Sequence, residues 1–401
     1  MTTADRVSTF SQTLLWFGAA VSIAEILTGA LLAPLGLERG MGAILLGHVI
    51  GAALLLPAGL IGARSGLSAA RSVRISFGRY GSYAFSVLNL MQLLGWTAIM
   101  IVSGAKAMDG ITGELWGFRD EVLGCAVIGL LIALWVLMGI RNLARVNVVV
   151  VTMLFVLSLV LGFTVFGRPP LGAPAGEPMS FGAAVELNVA MSLSWLPLIS
   201  DYTRRLRRPF SGTAGSVLGY FAGSVLMFAI GLGAALYAGT SDIAQILLSA
   251  GLGLVALLIV LFSTVTTTFL DVYSAGVSAA NLSESLNEKV IAVFVCVLGT
   301  VLATSVPMTQ YENFLFFIGS VFAPLFAILF TDYWLFGRRE IDPGCALDLR
   351  NAVLWAAGFA LYRLLLPYSS PVGITLPVML LIGALSFAVG LVGRRRCRPR
   401  A

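Results

Sequence analysis

The stretch Trp16–Gly29, WFGAAVSIAEILTG, decides how this chain is read. It lies inside an apolar run, 13–35, that is long enough to span a bilayer. Yet it carries Ser22, Glu25 and Thr28, and Gly18 and Gly29 bracket its small residues. Polar and ionisable residues at membrane depth mark substrate or ion pathways by default. A span rich in Gly and polar residues also reads as a broken helix.

The rest of the chain has the same character. It is 58% hydrophobic and 11% charged, with a mean hydropathy of +0.96. A soluble domain is about 25% charged, so 401 residues of this composition call for a bilayer. Apolar runs predict twelve membrane helices, at 13–35, 41–63, 81–106, 121–139, 146–166, 181–203, 212–238, 252–282, 289–307, 313–336, 351–367 and 372–393. The first run is too long for a cleaved signal and reads as a retained helix. With the N-terminus on the cytoplasmic side, inner segments hold 20 of the 25 Lys and Arg residues and outer segments four. That asymmetry over short loops predicts two cytoplasmic termini in a plasma membrane protein. The basic tail GRRRCRPRA then anchors the last helix on the cytoplasmic side; no nucleic-acid partner is expected.

Enzyme chemistry finds no foothold. The chain has two lysines and one histidine, and lacks GxxxxGK[ST], HExxH and GxSxG. The four cysteines, Cys125, Cys296, Cys345 and Cys397, show no paired spacing and suggest neither a disulfide framework nor a metal site. His48 lies in an apolar helix and reads as a packing or interhelical hydrogen-bonding residue.

The intramembrane polar groups gather in four runs. Besides the first, the third holds Asn89, Gln92, Trp96 and Ser103, and the sixth holds Glu186, Asn188, Ser192, Ser194 and Trp195. The eighth holds TVTTTFLDVYSAG, Thr264–Gly276. The sixth run reads NVAMSLSWLPLISDYTRR, where Pro197 removes a donor and disfavours helix at Leu196. Broken spans at matching places in two halves are the sequence pointer to a secondary-transporter site. The first and sixth spans are five apart, and an odd repeat inverts the second copy relative to the first. The expected organisation is a single transporter domain: a five-helix repeat at 13–166, a second at 181–336 and two extra helices at 351–393.

Thr264, Thr267, Thr268 and Asp271 are spaced i, i+3, i+4, i+7 and share a helix face. Three hydroxyls and a carboxylate suit a small cation. An aspartate at the bilayer centre costs about 2.5–3.5 kcal/mol on insertion scales, which threonines bonding back to their own helix do not explain. Asn89, Gln92 and Trp96 share a face of the third helix, where an amide beside an indole suits a flat heteroaromatic ring.

Several of these strings together resemble a known family. WFGAAVSIAEILTGALLAPLG, RSVRISFGRYGSY, LLGWTAIMIVSGAKAM, ISDYTRR and APLFAILFTDYWLF are similar to the nucleobase:cation symporter-1 family, in its cytosine-permease-like branch proposed to import hydroxymethylpyrimidine, a thiamine precursor. The resemblance implies an all-α fold of the leucine-transporter type, with a 5+5 inverted repeat and two C-terminal helices. It implies a sodium ion held by the carbonyls of Ala20 and Ile23 with Thr264, Thr267 and Thr268. It implies a substrate site of Gln92, Trp96, Ser192, Ser194 and Trp195. Asn89, Glu25 and Asp271 complete the expected substrate set, Asp271 standing nearest to where relatives carry an asparagine. The function implied is cation-coupled import of a pyrimidine by alternating access. A proton-coupled nucleobase permease with Glu25 and Asp271 as carriers, and a channel or structural subunit, are the alternatives.

Overall fold

The computed structural model describes residues 7–138, 179–238, 253–305 apart from 284, and 311–392 apart from 369, with scattered positions in 149–167 and 245–251. Within these the chain is helical. Helices α1 (Thr9–Ala20) and α2 (Ile23–Leu31) form the first run; α3 (Gly36–Ser65) is the second. A short α4 (Ala69–Ser72) leads to α5 (Arg74–Trp116) and α6 (Glu121–Met138). The expected fifth span, 146–166, falls largely outside the described residues. Helices α7 (Phe181–Leu193) and α8 (Leu196–Thr203) form the sixth run, followed by α9 (Pro209–Ala238), α10 (Gly253–Leu282) and α11 (Glu288–Ala303). The chain ends in α12 (Tyr311–Phe330), α13 (Leu349–Leu365) and α14 (Thr375–Val392). Eight helices among the described residues are long and apolar enough to cross a membrane.

The helices pack in two groups. α1, α2, α3, α7 and α9 lie against one another, and so do α5, α6, α10 and α11. In run order these are the first, second, sixth and seventh against the third, fourth, eighth and ninth, so each group joins runs five apart. Lipid supplies no hydrophobic drive between helices, so contact depends on small residues that let backbones approach. α2 and α9 use two: a Cβ at Gly29 would stand 2.6 Å from Phe228 Cα, and Gly231 faces the backbone of Ile26.

Both breaks occur, the first inside the stretch that Gly18 and Gly29 bracket and the second just before the position that Pro197 disfavours. In the first run Gly18 and Gly29 stay helical, and the interruption falls at Val21 (ψ 78°) and Ser22 (φ −136°, ψ 157°). Ser22 can open a new helix because its side chain accepts from the Glu25 N–H at 3.4 Å. In the sixth run the interruption falls at Ser194 and Trp195, and Leu196 is helical. Pro197 sits in the first turn of α8, where a missing N–H costs nothing. The third helix is longer than expected because α5 continues through a kink at Gly78 (φ 72°). That left-handed conformation favours glycine. It lets Arg79 and Tyr80 donate their N–H groups to the Cys345 and Ala346 carbonyls at 3.1 and 2.8 Å. Cys125 and Cys296 are free, whereas Cys345 is disulfide-bonded, against the sequence expectation.

Glu186 is a brace rather than a pathway residue. Its carboxylate accepts from Tyr362 Oη (2.5 Å), Thr375 Oγ1 (2.6 Å) and the N–H groups of Ile374 (2.5 Å) and Thr375 (2.9 Å). One side chain of α7 thereby caps α14 and holds α13. Glu186→Ala would strand two buried N–H groups at about 1–3 kcal/mol each. The expected result is a loss of roughly 2–6 kcal/mol, read as a lowered apparent melting temperature of the detergent-solubilised protein.

Candidate functional site

The two breaks meet across a small cavity. The first run contributes Ala19, Ser22, Ala24 and Glu25; the sixth contributes Met191, Ser194 and Trp195. α5 adds Trp96 and Met100, and α10 adds Thr267 and Asp271. Glu25, Trp96, Ser194, Trp195 and Asp271 of the expected substrate set are thus brought together.

Asp271 is 4% exposed, and among the described residues no donor reaches its carboxylate. A buried carboxyl facing a cavity without a protein partner is available to a ligand or a proton. Trp96 is likewise poised: its Nε1 has no acceptor, and its ring is held edge-on by Tyr311 (6.0 Å) and Phe314 (5.5 Å). Trp195 also lines the cavity and packs against Trp16, ring centroids 5.3 Å apart, and Trp16 packs in turn on Tyr202 and Tyr220.

Three expected substrate residues do not line the cavity. Gln92 Nε2 donates to the Ser194 carbonyl (3.0 Å) and Asn89 Oδ1 (3.2 Å), and Asn89 Nδ2 donates to Ser278 Oγ (2.8 Å). The pair braces the second break from behind the wall, leaving Gln92 Oε1 without a partner. Ser192 lies against Gly51 of α3. Glu25 lines the cavity, but both its oxygens are engaged, Oε1 by Tyr220 Oη (2.9 Å) and Oε2 by Ser224 Oγ (2.5 Å). Sequence reasoning missed those two partners and Met100. Met100 was recoverable, one turn beyond Trp96; the α9 pair had no signal, since only folding brings α9 to α2.

The threonine face divides by height. Thr267 Oγ1 donates to the Ala19 carbonyl at 3.3 Å and so links α10 to the first break. Thr268 Oγ1 bonds back to the Thr264 carbonyl at 2.7 Å. Thr264 is seven residues from Asp271, about 10 Å along the helix axis. Its buried Oγ1 has no partner and faces Gly104 of α5, where an added Cβ would lie 2.8 Å away. Ala20 closes α1 and its carbonyl accepts from the Ser22 N–H (2.9 Å); Ile23 opens α2. Of the expected threonines, Thr267 is the one in contact with the first run, and its partner is the carbonyl of Ala19 rather than that of Ala20 or Ile23.

The ISDYTRR string fastens the second break to its surroundings. Ser200 and Thr203 donate to the Ala58 and Gly59 carbonyls at 2.9 and 2.8 Å, and Asp201 accepts from the Ala69 N–H at 2.9 Å. Tyr202 Oη crosses to α10 and donates to the Leu270 carbonyl at 2.9 Å. Val7 pairs with the backbone of Arg205 and Arg207, tying the start of the described chain to the same corner.

Comparison with known proteins agrees with this architecture. Residues 2–390 match the family described as permease for cytosine/purines, uracil, thiamine, allantoin. The chain is 28% identical over 347 residues to the cytosine permease of Escherichia coli (strain K12), covering 83% of this chain and 80% of that protein. It is 25% identical over 365 residues to the putative purine-cytosine permease YxlA of Bacillus subtilis (strain 168), covering 84% and 78%. Among solved structures it resembles Mhp1, a nucleobase-cation-symport-1 family transporter in a closed conformation with bromovinylhydantoin bound. That match has a TM-score of 0.82 at 20% identity and covers 96% of this chain and 92% of the other. A Na+-coupled sialic acid symporter in a substrate-bound outward-open state matches with a TM-score of 0.69 at 12% identity, covering 99% and 92%. At these identities the structures speak for the fold, which is that of leucine-transporter-type carriers. An integral membrane transporter and not an enzyme, the chain belongs to the nucleobase:cation symporter-1 family, on its cytosine-permease-like side.

Proposed function

We propose that this protein imports an aminopyrimidine, hydroxymethylpyrimidine, by sodium symport with alternating access across the plasma membrane, both termini being cytoplasmic. The observation that carries the reading is the partnerless Asp271 carboxyl in a cavity walled by Trp96 and Trp195. The two indoles suit a flat ring. A carboxylate accepts from an exocyclic amine, and a protonated one donates to a ring nitrogen; an aminopyrimidine offers both. The cation would sit between Thr267 and the carbonyls at the first break, with Thr268 next to Thr267 and Thr264 about one turn away. Cation binding would order that break against α10 and raise substrate affinity, and by linkage substrate would raise cation affinity equally. The relatives named for cation symport support a coupling ion of this kind.

Counterflow in proteoliposomes tests the substrate: labelled hydroxymethylpyrimidine is expected to accumulate in a saturable, sodium-dependent way. Uptake of cytosine alone would replace the substrate, and uptake driven by a proton gradient without sodium would replace the ion. Asp271→Asn is expected to weaken pyrimidine binding at least tenfold while leaving thermal stability within about 1 kcal/mol or raising it, because no protein hydrogen bond is lost. Thr267→Ala, which removes the bond to the Ala19 carbonyl, is expected to raise half-saturating sodium about 5- to 10-fold, the worth of one hydrogen bond. Thr268→Ala, whose hydroxyl serves its own helix, is expected to change it less. Sodium titrations of uptake in both variants check this ordering.

A further inference from the structure

Behind Glu25 runs a chain of short contacts that the transport reading does not use. Ser224 Oγ lies 2.5 Å from Glu25 Oε2 and 2.6 Å from His48 Nε2, and His48 Nδ1 lies 2.8 Å from the Ile44 carbonyl. All three residues are buried, and of them Glu25 alone lines the cavity. They come from α2, α9 and α3, so the chain exists only in the folded protein.

Counting protons along it narrows the choices. The Ile44 carbonyl can only accept, so Nδ1 carries a hydrogen. Tyr220 donates to Oε1, so a proton on Glu25 belongs on Oε2. Ser224 has one hydrogen for two short contacts. If neither Oε2 nor Nε2 is protonated, one contact sets lone pair against lone pair. If both are protonated, both donate to Oγ, the serine hydrogen must turn away from both contacts, and the buried unit carries an unpaired positive charge. With one proton the chain closes in two ways. It runs from Nε2–H to Oγ and from Oγ–H to the carboxylate, or from Oε2–H to Oγ and from Oγ–H to a neutral imidazole. Passing between them breaks Oε2–H and forms Oγ–H while the original Oγ–H breaks and Nε2–H forms; the net charge is unchanged.

We propose that Glu25, Ser224 and His48 form a proton-sharing unit that holds one proton and lets the cavity wall present either a carboxylate or a carboxylic acid without exchanging a proton with water. Glu25 Oε1 keeps a second acceptor position beside the Tyr220 bond. In both forms that Oε1 position meets a donor on a bound heterocycle, as a charged carboxylate oxygen in one form and as a weaker carbonyl acceptor in the other. His48 is a positioning residue: it touches nothing in the cavity and sets the form that Glu25 takes. The other titratable groups facing Glu25 are Tyr220 from α9, Tyr311 from α12, whose hydroxyl is held by Thr28 at 2.8 Å, and Asp271 from α10 across the cavity. His48 faces the Phe221 and Phe228 rings of α9 at 6.3 and 4.9 Å and, among the described residues, forms no ion pair.

The chain has a single histidine, so the test needs no assignment and no ligand. Nitrogen NMR of 15N-histidine-labelled full-length protein in detergent reports the two ring nitrogens separately. In the unsubstituted protein Nδ1 is expected to be protonated and Nε2 partly protonated, with neither titrating over about pH 5 to 8, where a free imidazole would. Glu25→Gln replaces the acid by a neutral amide and is expected to abolish protonation at Nε2. Ser224→Ala, which cuts the bridge and keeps both ends, is expected to do the same and serves where the glutamine variant does not fold. An Nε2 that is wholly unprotonated or wholly protonated in the unsubstituted protein, or protonation that survives both substitutions, overturns the proposal, as does a ring that titrates freely. These readings are independent of which substrate or ion is carried.

Discussion

Everything at the centre of this molecule depends on a two-residue interruption of a membrane helix. At membrane depth, irregular backbone is tolerated only where protein surrounds it or it lines a cavity, because lipid offers no hydrogen bonds. The chain meets that constraint at Val21 and Ser22 with groups already at hand. Val21 N–H reaches the Phe17 carbonyl at 3.2 Å, Ser22 N–H reaches Ala20, and the Ser22 hydroxyl caps the next helix. Thr267 comes from another helix to bond the Ala19 carbonyl. The satisfaction of the break is also what fixes α1, α2 and α10 around one cavity.

The second break solves the same problem more softly. Ser194 and Trp195 keep right-handed helical angles and lose only the regular ladder. The Ser194 carbonyl freed there is taken by Gln92. One break therefore changes chain direction and opens polar atoms to the cavity, while the other turns an indole into the cavity and is held from behind. The aromatic cluster of Trp16, Trp195, Tyr202 and Tyr220 fills the space between them with edge-to-face contacts, a favourable geometry for rings carrying a quadrupole.

Partner count separates the buried polar residues that brace the fold from those that face a ligand. Glu186 has four donors, and Asn281 bridges Ser82, Ser86 and Arg74. Asn351 and Arg338 are both held by Asp332. These groups join helices within one packing group or secure the last two helices to the rest. Asp271 has no such partner, and Trp96 Nε1 has none either. In a bilayer a fully bonded polar group is ordinary glue. One left open toward a cavity is the exception that a binding site requires.

Membrane residence, the helical class, the two broken runs and Glu25, Trp96, Trp195 and Asp271 as candidates for the residues that line the cavity were legible in the sequence, because they rest on local quantities: hydropathy over about 20 residues, helical periodicity and the cost of a polar atom in lipid. The resemblance to relatives supplied the fold type and an expected site on top of these. The exact break points were not legible, since Gly18, Gly29 and Pro197 all remain compatible with helix, and capping by Ser22 decided the matter. Nor was the division of labour among polar residues. Gln92 and Asn89 share the helix face of Trp96 yet serve as braces, and Glu186 looks no different from Glu25 along the chain. Which carboxyl is bonded and which is open depends on helices far away in sequence, Tyr362 and Thr375 for Glu186 and none for Asp271. Periodicity says which way a side chain points on its own helix; only the packed bundle says what it meets there.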